Sequence, residues 1–170
     1  MNENQRKMVL DWMRKIHILE HAHRLESIMW KKWNNKLGIP IIVLGLFIGV
    51  ISSICEIKNL LFVSIVSSVG GFIVATVTGI QTFVKPMKMS EKHMNLSYVY
   101  ETLRHKIELF LEFESDSLDD IESKIENLRS EWEQIKSLNV TQKHFNLAKK
   151  WIKEMNIYPS ELEFLNKNIK

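Results

Sequence analysis

The 170 residues carry a formal net charge of +3, with 45% hydrophobic and 25% charged residues, averages that fit one ordinary soluble domain. A lone cysteine, Cys55, excludes an intrachain disulfide and a CxxC pair. Interspersed basic and acidic residues speak against a nucleic-acid-binding face. The averages hide a concentration of apolar residues: Ile39 to Cys55 is seventeen residues without a charge, and Leu60 to Val84 is twenty-five more.

In the N-terminal arm, Met8, Val9, Trp12, Met13, Ile16 and Leu19 recur at helical spacing and predict an amphipathic helix over the cytoplasmic segment 1–36. Within it His17-Ile-Leu-Glu-His21 has the H-x-x-E-H spacing of inverted zinc peptidases, where two histidines one turn apart bind zinc. A short arm ahead of a membrane span offers neither a third ligand nor a substrate cleft. These residues are therefore read as polar positions of an amphipathic helix, with no metal, no cofactor and no catalytic residue.

The two uncharged runs predict membrane spans at about 38–55 and 60–84, within a hairpin over 37–86. A bilayer core of about 30 Å needs roughly 20 helical residues. Thirty-eight mostly polar and amphipathic residues precede the first run, so it is not read as a cleaved signal. Two buried helices of a soluble core are the alternative, but such helices keep a charged outer face and these have none. The five-residue turn Cys55 to Asn59 makes the spans antiparallel, with both ends on one side. Arg24, Lys31, Lys32 and Lys36 precede the first span and Lys85, Lys88 and Lys92 follow the second, against Lys58 alone in the turn. Lysine and arginine stay preferentially cytoplasmic, so both termini are expected there, with the chain multi-pass in a cell inner membrane. Trp30 and Trp33 suit the headgroup layer, and packing against the third helical region would place them equally well.

At about 100 degrees per residue, Ser64, Ser67, Ser68, Gly70, Gly71, Ala75, Thr78, Gly79, Gln81 and Thr82 occupy about half the circumference of the second span. Bulky residues take the other half, with Val63 and Val74 intruding among the small ones. The first span has a narrower small face of Gly38, Gly45, Gly49, Ser52 and Ser53, in which Gly45 and Gly49 form a GxxxG pair. These faces predict helix packing. Because the second is about twice as wide as the first can cover, the surplus, including Thr78, Gln81 and Thr82, predicts a homo-oligomer or water in a pore; an open assembly would turn Ser67, Gly71, Thr78 and Gln81 toward its axis. No Asp, Glu, Lys or Arg interrupts either span, which argues against a proton relay or coupled pump.

The cytoplasmic region 87–170 is expected to be helical throughout. Leu96, Val99, Tyr100, Leu103, Ile107, Phe110 and Leu111 mark one helix, ended by Glu114-Ser-Asp-Ser117, where Ser117 can cap the next. Leu118, Ile121, Ile125, Leu128, Trp132 and Ile135 alternate steps of three and four, the seam of a coiled coil or of a small bundle. Thr141 is a second expected cap, for a last helix with Phe145, Ala148, Trp151, Ile152 and Met155.

The segment HAHRLESIMWKKWNNKLGIPIIVLGLFIGVIS resembles the start of the SLATT proteins, two-helix membrane effectors associated with nucleotide signalling in prokaryotic conflict systems. The resemblance continues through a short turn and a Ser/Gly-rich second span into KPMKMSEKHMNLSYVYETLRHKI, covers roughly Trp12 to Leu111, and is carried by the order of elements and by His21, His23, Pro40, Lys85, His93, Tyr100 and Leu103. It implies an anti-phage effector that oligomerises and perforates the inner membrane when a signal, often a nucleotide second messenger, is perceived directly or through a partner protein, causing growth arrest or cell death. The rival expectation is a non-conducting membrane anchor or scaffold that recruits a partner through its soluble helices. Either way the expected fold is an all-α membrane protein: a two-helix transmembrane hairpin between an amphipathic N-terminal helix and a helical cytoplasmic region.

Overall fold

The computed structural model describes residues 1–54, 60–112 and 118–159. Cys55 and the rest of the turn, Phe113, and the 114–117 interruption with its expected cap Ser117 lie outside the described residues, as do the side chains of Ser53 and Leu118. Five helices account for most of what is described: α1 Glu3–Ile54, α2 Leu60–Val84, α3 Pro86–Glu112, α4 Leu118–Gln134 and α5 Gln142–Glu154. No strand occurs among the described residues. Two stretches, within α1 and α2, are long and apolar enough to cross a membrane.

The arm and the first apolar run, expected as separate elements, form one helix of 52 residues with Pro40 inside it. A proline inside a helix removes one backbone bond, but the turns on either side remain intact here. The chain divides into two compact units, Met1–Ser27 with Glu91–Lys170, and Ile28–Ser90.

The first unit is a helical bundle. Val9, Met13 and Ile16 of α1, Tyr100, Leu103 and Ile107 of α3, and Ile121, Ile125 and Leu128 of α4 form one buried cluster, with Trp12, Leu96, Phe110, Leu111, Trp132 and Ile135 packed on it. The three-four seam of α4 is thus consumed inside the chain. Of the two uses open to that pattern, the small bundle is the one observed. Trp12 and Trp132 meet edge to face at 6.1 Å between centroids, a geometry that adds to their burial. Met8 and Val99, expected on the apolar stripes, are exposed. A second cluster joins Ile18 and Ala22 to Ala148 and Ile152 of α5, with Phe145 and Tyr158 beside it. Thr141 caps α5 as its position predicts, its side chain accepting from the backbone of His144.

In the second unit α2 lies antiparallel to the apolar part of α1: Ser52 and Ser67 share a hydroxyl hydrogen bond of 3.0 Å, and Gln81 Nε2 donates to the Asn34 carbonyl at 3.2 Å. Lys85 separates α2 from α3 with φ 50. Pro86 disfavours a right-handed helical conformation in the residue before it and is itself a good first residue of a helix. The chain therefore turns through a left-handed Lys85, whose N–H closes α2 on the Gln81 carbonyl and whose carbonyl accepts from Met89 to open α3.

Candidate functional site

Two places collect the residues singled out above. In the helix pair, the half-buried or buried positions of α2 are Val63, Val66, Ser67, Gly70, Val74, Val77, Gln81 and Val84, a run of three-four steps. They face Leu37, Gly38, Ile41, Leu44, Ile48 and Ser52 of α1. At Gly70 a Cβ would collide with the Ile48 side chain, which would have to move to admit it; at Gly38 it would lie 3.3 Å from Gln81 Nε2. Val63 and Val74, which looked like intruders on the small face, belong to this contact.

The rest of the small half is a separate strip. Ser64, Ser68, Gly71, Ala75, Thr78, Gly79 and Thr82 are all exposed. On a helical projection they span about 100 degrees beside the contact stripe, and 64, 68, 71, 75, 78 and 82 repeat its three-four steps one residue later. In α1, Gly45 and Gly49 likewise follow Leu44 and Ile48 by one residue, and a Cβ added at either meets nothing within 4 Å. The GxxxG pair, expected to close the hairpin, therefore lies outside its contact. Because the helices are antiparallel, the same one-residue offset turns both small strips to one face of the pair. Bulky side chains cover much of the remaining surface, including Leu46 at 66%, Phe72 at 73% and Phe83 at 90% exposure. None of the first apolar window and 6% of the second is buried within the chain. Soluble core helices would be mostly covered.

The second place is the polar half of the bundle seam. The stripe Val9, Met13, Ile16 continues at the same steps through Glu20 and His23, and the α3 stripe Ile107, Tyr100 continues through Ser97 and His93, all of them buried. His17 and Glu20, expected among the solvent-facing polar positions of an amphipathic helix, are 7% and 2% exposed. They are inside because each has a partner. The Glu20 carboxylate accepts from Arg104 Nε at 2.9 Å and from Arg24 at 3.4 Å, and Arg104 also pairs with Glu108. Burial works against the Arg104 charge, but bonds and charge from Glu20 and Glu108 outweigh it and hold its pKa above the usual arginine value. His17 Nδ1 lies 3.0 Å from the Tyr158 hydroxyl. Burial first, then the Arg104 charge, lowers the His17 pKa to about 4.

Three of the positions that carry the SLATT resemblance meet here. His23 Nδ1 and His93 Nδ1 are 2.9 Å apart, and the Tyr100 ring stacks on His23 at 5.5 Å. At that separation one ring donates and the other accepts, so the pair holds one proton between the two facing nitrogens. Burial, then the neighbouring His93, lowers the His23 pKa to about 4, and burial lowers that of His93. Glu26 accepts from the Thr141 backbone at 2.6 Å and pairs with His144 at 3.0 Å. Burial alone would raise its pKa, yet these contacts bring it below the carboxylate norm. His21 is half-buried beside Trp151, and Pro40 is exposed on α1; neither joins the cluster. Among the described residues no three His, Cys, Asp or Glu side chains converge to hold a metal ion.

Sequence reasoning missed this polar seam because it followed apolar residues only. The available signal was the spacing: 9, 13, 16, 20, 23 and 93, 97, 100, 104, 107 keep one periodicity while residue type changes. In comparisons with known proteins, no family model, curated protein or solved structure matches the chain.

Proposed function

We propose that the protein is a membrane-perforating effector of the SLATT type, inserted as a two-span hairpin with both ends cytoplasmic and assembled from several copies. The carrying observation is the strip Ser64, Ser68, Gly71, Ala75, Thr78, Gly79 and Thr82, small throughout, exposed, and adjacent to a contact stripe already filled by α1. A lipid-facing surface has no need of seven small or hydroxyl residues in helical register, whereas a neighbouring hairpin or a water-filled axis does. The exposed apolar side chains around it support lipid as the surrounding solvent. The anti-phage setting, the nucleotide-type trigger sensed directly or through a partner, and the outcome in growth arrest or death rest on the SLATT resemblance. In this reading the protein is not an enzyme: the signal shifts an equilibrium between closed and open assemblies.

One observation favours the second reading, a non-conducting anchor or scaffold. Ser67 and Gln81, the polar residues first expected at a pore axis, are bonded to α1 instead. Thr78 and Thr82 are thus the better probes. Dye release from vesicles containing the full chain, at densities where oligomers form, tests the proposal. Thr78→Leu with Thr82→Leu is expected to cut release at least tenfold. Intact oligomers that never release dye, with or without nucleotide extracts from infected cells, would establish the scaffold.

A further inference from the structure

Five lysines crowd one end of the α1–α2 pair. Lys31, Lys32 and Lys36 precede the apolar part of α1, and Lys85 and Lys88 follow α2. The contacts of Gln81 with Asn34 and Gly38 bring the two groups to the same end. All five are exposed, and none has an ion-pair partner among the described residues. Between Ser27 and Ser90 the sequence holds a single acidic residue, Glu56, in the segment that joins the two helices at their other end. Trp30 and Trp33 stand among the lysines, edge to face at 5.4 Å and partly exposed.

Uncompensated like charges repel one another, and the nearest carboxylate in sequence, Glu91, three residues after Lys88, forms no ion pair with it. Immediately beyond it begins the exposed apolar surface, with Ile39, Ile42 and Val43 on α1 and Phe83 and Ile80 on α2. Ammonium groups at the edge of an apolar belt, with indole rings between them, match a phosphate diester that is itself tethered to acyl chains. We propose that this end is a binding surface for anionic phospholipid headgroups, selecting phosphatidylglycerol-like lipids over zwitterionic ones. The assignment rests on the membrane-spanning reading above and goes beyond it, since spanning alone requires no lipid preference. Lysine presents a hydrated point charge, so the preference is one of charge density and not of headgroup shape.

Quenching of tryptophan by brominated lipids tests the assignment on the full chain. Vesicles of phosphatidylcholine with a minor share of phosphatidylglycerol are prepared with bromine on one lipid or on the other, at equal brominated fractions. At low salt the quenching should report phosphatidylglycerol enriched about threefold or more around the chain, shrinking as salt rises. Replacing all five lysines by glutamine should remove the enrichment, and replacing all five by arginine should keep it. Inorganic phosphate should act no more strongly than chloride at equal ionic strength; a specific loss to phosphate would overturn the lipid assignment in favour of a free-anion site. Equal quenching by the two lipids would overturn the proposal while leaving the spans in place, and so would enrichment that survives in the glutamine variant. Absence of quenching by either lipid would overturn the membrane reading, and the proposal with it. Dye release is scored separately, so failure to perforate does not bear on the lipid preference.

Discussion

Acid should loosen the bundle, and by an amount that follows from two histidines. His17 and His23 are 7% and 0% exposed, and each has its pKa lowered from 6.5 to about 4. Between those values the unfolded chain binds a proton that the folded chain refuses, so stability falls as the pH falls, beginning near 6.5 and ending near 4. At pH 5 the imbalance is worth about 2 kcal/mol for each histidine, a large fraction of the stability of a small domain. Glu26, whose pKa is also lowered, contributes in the same direction but only below the ordinary carboxylate range. The measurement is urea unfolding of the full chain in a neutral detergent at pH 7.5 and pH 5, followed by near-ultraviolet circular dichroism of the Trp12–Trp132 pair. His23→Leu with His93→Leu removes both partners of the buried bond together, avoiding an orphaned nitrogen, and should abolish roughly half of the loss. Equal stability at the two pH values would refute the burial argument, since neutral imidazoles that can ionise in place carry no such penalty.

Glu20→Ala leaves Arg104, 15% exposed in its side chain, without its buried partner and should cost about 3 kcal/mol in the same unfolding assay, with Arg104→Leu in that background recovering part of it. Gly70→Leu places a side chain where a bare Cβ already collides with Ile48, and should destabilise the helix pair by about 1–3 kcal/mol; Gly45→Leu should leave the pair intact. Thermal unfolding in micelles separates the two, and equal effects would contradict the register. Lys85→Gly relieves a left-handed lysine at φ 50 and should raise stability by about 1 kcal/mol, measured in neutral detergent where the lost charge meets no lipid.

How much of this was legible beforehand depends on what each pattern can encode. Apolar periodicity located the N-terminal part of α1 and α3, α4 and α5, uncharged run length located the two spans, and Thr141 identified its own cap, because all three signals are local. The fusion of arm and first span into α1 was hidden because the two were told apart by charge, present up to Lys36 and absent from Ile39, and a change of surroundings does not interrupt a helix. The polar seam was hidden for a different reason. Glu20 is inside only because Arg104, 84 positions away, reaches it, and His23 only because His93 lies 70 positions away. Residue type alone assigns such side chains to the surface, and the partner that reverses the assignment is a fact of the fold.

The small face of α2 shows the limit of single-helix geometry. Angular arithmetic finds a half-circumference of small residues, but it cannot divide that half, since the division depends on where the neighbour sits. With α1 in place, the stripe it takes is centred on valines, Gly70, Ser67 and Gln81, and two residues counted as intruders fall inside it. A valine seam packs well against leucine and isoleucine, so the intrachain contact uses two glycines at a close approach, Gly70 beside Ile48 and Gly38 beside Gln81. The glycines and hydroxyls left outside are then in excess of what the hairpin needs. Glycine in a helix interior costs roughly 1 kcal/mol relative to alanine, and at Gly45, Gly49, Gly71 and Gly79 an added Cβ would meet nothing within 4 Å, so packing inside the chain does not call for glycine there. Four such positions, turned to one face, are costly in an isolated hairpin and sensible in one whose backbone is approached from outside by a second copy.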